Sequence, residues 1–362
     1  MENKPKRKIG RWVLLAVLVV LAAVVAYAVK TYLEFESLLD TGKAGQLPDS
    51  YQSMEGDNNV DLSQVNEKDV YTILVAVTDH GVQEDEDRGT DNTDVMLYVR
   101  LDNKTHTMNI LQIPRDTYVG DGISVDCGIY QRLNGAYSNG ANKENPIANT
   151  ATAIYELFGL KADSYAVMDV EGFRTMLNVM GGIWMNIPRD LYDKETGKLL
   201  FKAGDTKVNG DTAEIILRNR GTVLADYDRL ELQQSFYAAV FRTFMEQYPV
   251  GDALQVAKNV AVYLDTDLSV MDLMGIYLSM KELQAEDIYI VRCSGGPITV
   301  NGQGLYGVEK ENTARILNEH FRPEGVTVSA DKLGLPDVEF TLGYNVDEGK
   351  HLSEVETAEI KD

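Results

Sequence analysis

Seven residues, Tyr71-Thr72-Ile73-Leu74-Val75-Ala76-Val77, set the tightest limit on what this chain can become. They are apolar and β-branched, with no polar alternation along the run. A stretch of that kind fits a strand covered on both faces, as in sheets flanked by helices. Strand patterns at 95–101 and 107–113, joined by Asp102-Asn103-Lys104, read as a hairpin. A helix is expected at about 148–158, a strand at 164–169, and a helix at 171–180 stopped by Gly181-Gly182. Residues 183–187 read as a strand, and a long polar loop follows with Pro188 and Gly197. Further helices are expected at 211–217, onward to about 248, at 252–263, 268–284 and 309–321, with a strand at 288–293. The alternation predicts a single α/β domain over residues 70–322, a mixed central sheet flanked by helices.

Residues 12–29 form an unbroken apolar run, WVLLAVLVVLAAVVAYAV, long enough to cross a bilayer. A basic tail at 1–11 precedes it, which predicts a cytoplasmic N-terminus and an extracellular body. Ala26-Tyr27-Ala28 resembles a cleavage site, but the run exceeds a usual signal core, so a retained anchor is the reading. Residues 30–69 carry Gly42, Gly45, Pro48, Gly56 and many small polar residues, and read as an extracellular stalk. Residues 323–362 show no clear period and read as a partly ordered tail.

The net charge is −22, and the segment after Lys30 holds 28 basic against 55 acidic residues. So acidic a body repels a phosphate backbone and excludes a nucleic-acid binder. An anionic ligand then needs a locally basic pocket. The scattered histidines His80, His106, His320 and His351, with no CxxC, argue against zinc. Cys127 and Cys293 are too few for a disulfide scaffold, and their pairing stays open at this level.

The basic pocket has a candidate. Leu217-Arg218-Asn219-Arg220 is followed, past Gly221, by Asp226-Tyr227-Asp228-Arg229-Leu230-Glu231-Leu232-Gln233-Gln234. Asp228 and Glu231 have the spacing of a capping box, which predicts a helix start there. Asp226, Arg229 and Gln233 then share one helical face. Guanidiniums converging near a helix N-terminus suit phosphate or pyrophosphate, while a surface helix with ordinary ion pairs is the plain alternative. Asp79 ends the first strand and Asp94 opens the second. Two carboxylates beside substrate phosphates suit Mg²⁺. Arg115-Asp116 follows the third strand, in the kind of loop that carries catalytic groups.

These residues carry a resemblance. Asp79, Thr93-Asp94, Ile113-Pro114-Arg115-Asp116-Thr117-Tyr118, Arg132-Leu133-Asn134-Gly135-Ala136-Tyr137, Arg218-Asn219-Arg220 and the stretch from Asp226 to Gln234 match, in order, motifs of the LytR-CpsA-Psr family. The resemblance implies a membrane-anchored enzyme that moves a glycopolymer, such as teichoic acid or capsular polysaccharide, from a polyprenyl-pyrophosphate carrier to peptidoglycan. It implies Mg²⁺ on Asp79 and Asp94, and a pyrophosphate held by Arg115, Arg132, Arg218, Arg220, Arg229 and Gln233. Asp226, Arg115 and Asp94 would be the catalytic groups, with Asp226 as base or orienter of the acceptor. Three positions depart from the pattern: His80-Gly81, Asn92 and Leu232 stand where the family places arginines. Arg88 in the acidic loop is a possible substitute for the one missing at Asn92. The alternative is a non-catalytic member that binds polyprenyl-linked polymer or scaffolds envelope assembly.

Overall fold

The computed structural model describes residues 30–39, 45–79, 92–193, 195–218, 225–247 and 256–355, and only the backbone at 214, 218, 225–231 and 247. The expected membrane segment at 12–29 lies outside them. Among the described residues, no helix is long and apolar enough to cross a membrane.

Thirteen strands form among the described residues. They are β1 (Val70–Thr78), β2 (Thr93–Asp102), β3 (Thr107–Gln112), β4 (Ser164–Asp169), β5 (Ile183–Ile187), β6 (Leu191–Tyr192), β7 (Leu199–Phe201), β8 (Gly204–Val208), β9 (Leu264–Thr266), β10 (Ile288–Arg292), β11 (Gly295–Val300), β12 (Gln303–Val308) and β13 (Lys350–His351). Seven make the central sheet, in the order β13-β10-β3-β2-β1-β4-β9. β1 runs antiparallel to β2 and parallel to β4, and β3 runs antiparallel to β2 and parallel to β10. The sheet is therefore mixed, as expected.

The apolar run at 71–77 is covered on both sides. Leu74 and Ala76 of β1, Met96 and Tyr98 of β2, and Leu111 of β3 face one core, against the helices Pro146–Phe158 and Lys310–His320. Ile73, Leu97, Val99, Met108 and Ile110 face the other core, with Leu177, Ile216 and Phe236 from the helices Val170–Val179, Gly210–Arg218 and Ala225–Gln247. The period-two alternation splits each strand between two cores, which gives three layers.

Local chemistry sets the helix ends. Pro146 sits in the first turn of Pro146–Phe158, and Gly159 ends it at φ 63°. Arg322 completes that end. Its guanidinium is buried and donates to the Phe158 carbonyl at 2.6 Å and the Gly159 carbonyl at 2.8 Å. Ser269 and Asp272 form a reciprocal capping box for the helix Val270–Glu282. The helix expected to start near Asp228 instead begins at Ala225. Asp228 is thus its fourth residue rather than its cap, and both Asp226 and Asp228 occupy the first turn.

The departures have physical reasons. The loop after β5 contains three short strands, β6 to β8, whose alternation is too brief to read. β11 and β12 form a hairpin closed by Asn301 (φ 50°) and Gly302 (φ 76°). Asn-Gly is a strong sequence signal for such a turn, and it went unused. Parts of the segments read as a stalk and a partly ordered tail dock on the folded body. The Tyr51 and Tyr155 rings pack at a tilt with centroids 4.6 Å apart, Leu62 is buried, and Asp57 accepts from Ser329 while its amide donates to the Thr327 carbonyl. Val328, Leu333 and Leu335 fill the first core, and β13 pairs with β10. These apolar residues are sparse and without period, so they dock on faces that other elements make. Cys127 and Cys293 are unpaired and buried, which answers the open question of a bridge.

Two outcomes follow for stability. Arg322→Ala removes the donors for two helix-end carbonyls, and we expect a loss of about 2–4 kcal/mol by denaturant titration. A loss under half a kilocalorie (roughly the surface average) would count against that account. His320 stacks on Tyr289 at 4.0 Å, and burial lowers its pKa, with His351 and Arg315 acting the same way and Glu319 opposing. A lowered folded value means the unfolded chain binds the proton more tightly. Stability is then full above the ordinary imidazole range and falls as pH drops through it. His320→Phe should flatten that acid limb in a pH series of melting temperatures, whereas an unchanged limb would reject His320 as its source.

Candidate functional site

The candidate residues gather at one edge of the sheet. β1, β3, β4 and β10 all run the same way, so their C-terminal ends share that edge with the start of β2. Ligands in open α/β sheets bind outside the carboxyl ends of strands. Asp79 follows β1, Arg115 follows β3, Asp169 ends β4 and Arg292 ends β10.

A register shift places Asp94. Val77 pairs with Val95 and Thr78 with Thr93, so Asp94 is the extra residue of a bulge. Bulges of this kind re-aim a side chain. Here Asp94 accepts a close hydrogen bond from Arg115 Nη1. Arg115 Nε lies 3.6 Å from Asp116 Oδ2, and Arg132 Nη1 lies 3.6 Å from Asp116 Oδ1. Asp94, Arg115, Asp116 and Arg132 thus alternate in charge along one line. All four side chains are partly buried, between 15% and 32% exposed, where salt screens less than at an open surface.

Backbone pairing holds the line in place. Tyr118 N donates to the Tyr306 carbonyl and Tyr306 N to the Asp116 carbonyl, both at 2.9 Å. The β11–β12 hairpin therefore clamps the Pro114–Tyr118 loop. Asn134 N donates to the Arg115 carbonyl at 3.1 Å, which ties in the Arg132–Tyr137 segment. Arg132 also lies 5.3 Å from the centre of the Tyr130 ring.

Asp79 sits beside this line. Its carboxylate accepts from Asn92 N at 2.7 Å, and its own amide donates to the Asn92 carbonyl. Asn92, where the family places arginine, instead has its side-chain oxygen bound by Ser138 Oγ at 2.8 Å. Asp79 and Asp94 are hard oxygen donors at adjacent strand ends, which suits Mg²⁺ once substrate phosphates complete the shell. Among the described residues no three His, Cys, Asp or Glu side chains gather as a ready metal site.

A crevice lies between the sheet edge and the helix Ala225–Gln247. It is lined by Asp94, Gln112, Pro114, Arg115, Gln233 and Tyr237. Gln233 uses both ends of its amide on protein groups: Gln112 Nε2 donates to its Oε1 at 3.0 Å, and its Nε2 donates to the Leu217 carbonyl at 3.3 Å. Gln234 Nε2 reaches the Ile290 carbonyl. Leu232, at a family arginine position, is 3% exposed in the second core, where a charge would be unpaired.

The structure thus brings Asp94, Arg115, Arg132 and Gln233 together around one loop and crevice, with Asp79 on the neighbouring strand end. Arg218 is the last residue of the helix Gly210–Arg218, and Asp226 and Arg229 lie in the first turns of the helix Ala225–Gln247, each with backbone alone described. Arg220, His80, Gly81 and Arg88 lie outside the described residues. Sequence reasoning singled out Asp116 only as half of the Arg115-Asp116 pair, without its part in joining two of the arginines, and it missed Gln112. The Arg-Asp pair was the available signal for the first. Burial pushes the Cys127 thiol up to about 12, with Asp126 and Glu156 adding to it, so no thiolate nucleophile arises there.

The LytR_cpsA_psr family profile matches residues 39–322. The polyisoprenyl-teichoic acid–peptidoglycan teichoic acid transferase TagV of Bacillus subtilis is 23% identical over 290 residues, covering 75% of this chain and 71% of TagV. Its counterpart TagU of Oceanobacillus iheyensis is 26% identical over 326 residues, covering 88% of this chain and 95% of TagU. The crystal structure of B. subtilis TagV superposes with a TM-score of 0.57 at 21% identity, covering 71% of this chain and all of that one. A structure of TagT bound to LI-WTA superposes at 0.55 and 16% identity, covering 80% of this chain and 99% of that one. The profile spans most of the chain, and the fold agrees: the protein belongs to the LytR-CpsA-Psr family.

Proposed function

We propose that this protein transfers a wall glycopolymer from a polyprenyl-pyrophosphate carrier to peptidoglycan, at the outer face of the cell membrane. The observation that carries the reading is the Asp94–Arg115–Asp116–Arg132 line at the carboxyl edge of the sheet. Relatives named as teichoic acid transferases to peptidoglycan support it. An anchor at residues 12–29 would keep the site beside a lipid carrier.

The chemistry is substitution at phosphorus. A peptidoglycan hydroxyl attacks the phosphorus nearer the polymer, a new P–O bond forms, and the bond to polyprenyl phosphate breaks. The hydroxyl proton passes to a carboxylate, for which Asp226 in the first turn of its helix is the assigned base. Arg115 and Arg132 lie on one loop system and bind the pyrophosphate oxygens, with Arg218, Arg220 and Arg229 completing the cradle. Fixed guanidiniums neutralise charge as it develops, which is where such sites lower the barrier. Asp79 and Asp94 would hold Mg²⁺, which supplies further charge neutralisation on the phosphates when bound. Gln233 is held by Gln112 and Leu217 through one acceptor and one donor bond, and its second N–H is the one it offers the head group.

A binding role without turnover is the second reading. The observation favouring it is Asn92, whose side chain is held by Ser138 where the family places an arginine. One lost charged contact to phosphate is worth about 1.5–3 kcal/mol, roughly ten- to a hundredfold.

Two experiments test the proposal. Full-length protein in detergent, given a polyprenyl-pyrophosphate glycan, peptidoglycan oligomers and MgCl₂, should yield coupled product. Chelation should abolish the product, and Asp94→Ala should lower the rate about a hundredfold or more. Lipid bound without coupling would move the balance to the binding reading. In the same assay Asn92→Arg should raise the rate about tenfold by restoring one charged contact, and an unchanged or lower rate would show that the site is not short of that charge.

A further inference from the structure

Gln112 ends β3, one residue before the Ile113-Pro114-Arg115-Asp116 motif, and its side chain is 3% exposed. Its Nε2 donates to Gln233 Oε1 at 3.0 Å, and Gln233 Nε2 donates to the Leu217 carbonyl at 3.3 Å. The carbonyl can only accept, so it fixes which end of the Gln233 amide is nitrogen. That in turn obliges Gln112 to present its own nitrogen. The orientation of all three groups is therefore determined from one end.

The ends of this relay matter. On one side, three residues on from Gln112, is Arg115. On the other, Leu217 immediately precedes Arg218, the final residue of the helix Gly210–Arg218. The relay crosses the crevice between Asp94 and the helix Ala225–Gln247 and joins the two segments that carry these arginines. It comes at a price: among the described residues, the buried Gln112 Oε1 has no hydrogen-bond partner. A buried orphan acceptor is unfavourable.

We propose that Gln112 is a positioning residue, which sets the separation of Arg115 and Arg218 through Gln233 and the Leu217 carbonyl. The proposal rests on the reading that both arginines hold one pyrophosphate. Their spacing then decides how well charge is met in the transition state, so the relay acts on kcat rather than on donor capture. The two glutamines work as one unit, so removing both should do no more than removing one.

The test uses full-length protein with Gln112→Met, Gln233→Met and the double variant, measured in the coupling assay and by hydrogen exchange. Gln112→Met should lower kcat about tenfold, with KM for the lipid donor within twofold and a cooperative unfolding transition retained. The double variant should match the worse single variant. Exchange should quicken in the peptide spanning 211–218 and stay constant in the Pro146–Phe158 helix. Wild-type kcat in Gln112→Met, or unchanged exchange at 211–218, would overturn the relay. Should Gln112→Met not fold, Gln233→Met breaks the same bond from the helix side. Should wild-type protein give no coupled product, the transfer reading fails, and the exchange comparison alone decides whether the relay holds the Arg218 segment in place.

Discussion

Burial of the central strands on both faces is the constraint from which the rest follows. Ile73 and Leu74, adjacent in β1, belong to different cores, and the same split recurs in β2 and β3. With both faces taken by helices, polar groups that must meet a ligand are left with the sheet edges. Here four strands deliver their carboxyl ends to one edge, and the loops leaving it carry the charges. The site is therefore a by-product of the layering, which is the general rule for open α/β sheets.

At that edge the arginines are not waiting unpaired. Arg115 is set between Asp94 and Asp116, and Asp116 also faces Arg132. Alternating charges hold the guanidiniums still in a protein whose overall charge is strongly negative. An anion entering the site competes with those carboxylates. Affinity then depends on something drawing Asp94 away from Arg115, which a divalent cation bound to Asp94 would do.

Most of this fold was legible in the sequence, because long strands and helices announce themselves by period. The buried run at 71–77, the hairpin expected at 95–101 and 107–113 and the helix expected at about 148–158 were readable for that reason. Asp79, Asp94 and Arg115 were readable because strand ends and motif order located them. Asp116 was legible as half of a charged pair, but one carboxylate joining two arginines is a matter of three-dimensional distance. Gln112 was passed over because a polar residue closing a strand looks like ordinary turn chemistry. Asn92 could be recognised as a departure, but only the structure shows its side chain taken up by Ser138. The docking of the flanking segments was not legible because Leu62, Val328 and Leu333 join a core built mostly by other elements.

The way those flanks close the molecule bears on where the chain can be cut. The family-matched segment stops at Arg322. Beyond it, Leu333 and Leu335 fill the first core, Asp347 faces the buried Arg292 at 3.6 Å, and β13 covers the outer side of β10. A fragment trimmed to the matched boundary would keep every motif and yet expose β10, an apolar run from Ile288 to Val291, as an open sheet margin. Uncovered margins of that character recruit other chains. Work on soluble fragments would thus meet precipitation as a consequence of strand pairing, with the reactive groups themselves intact.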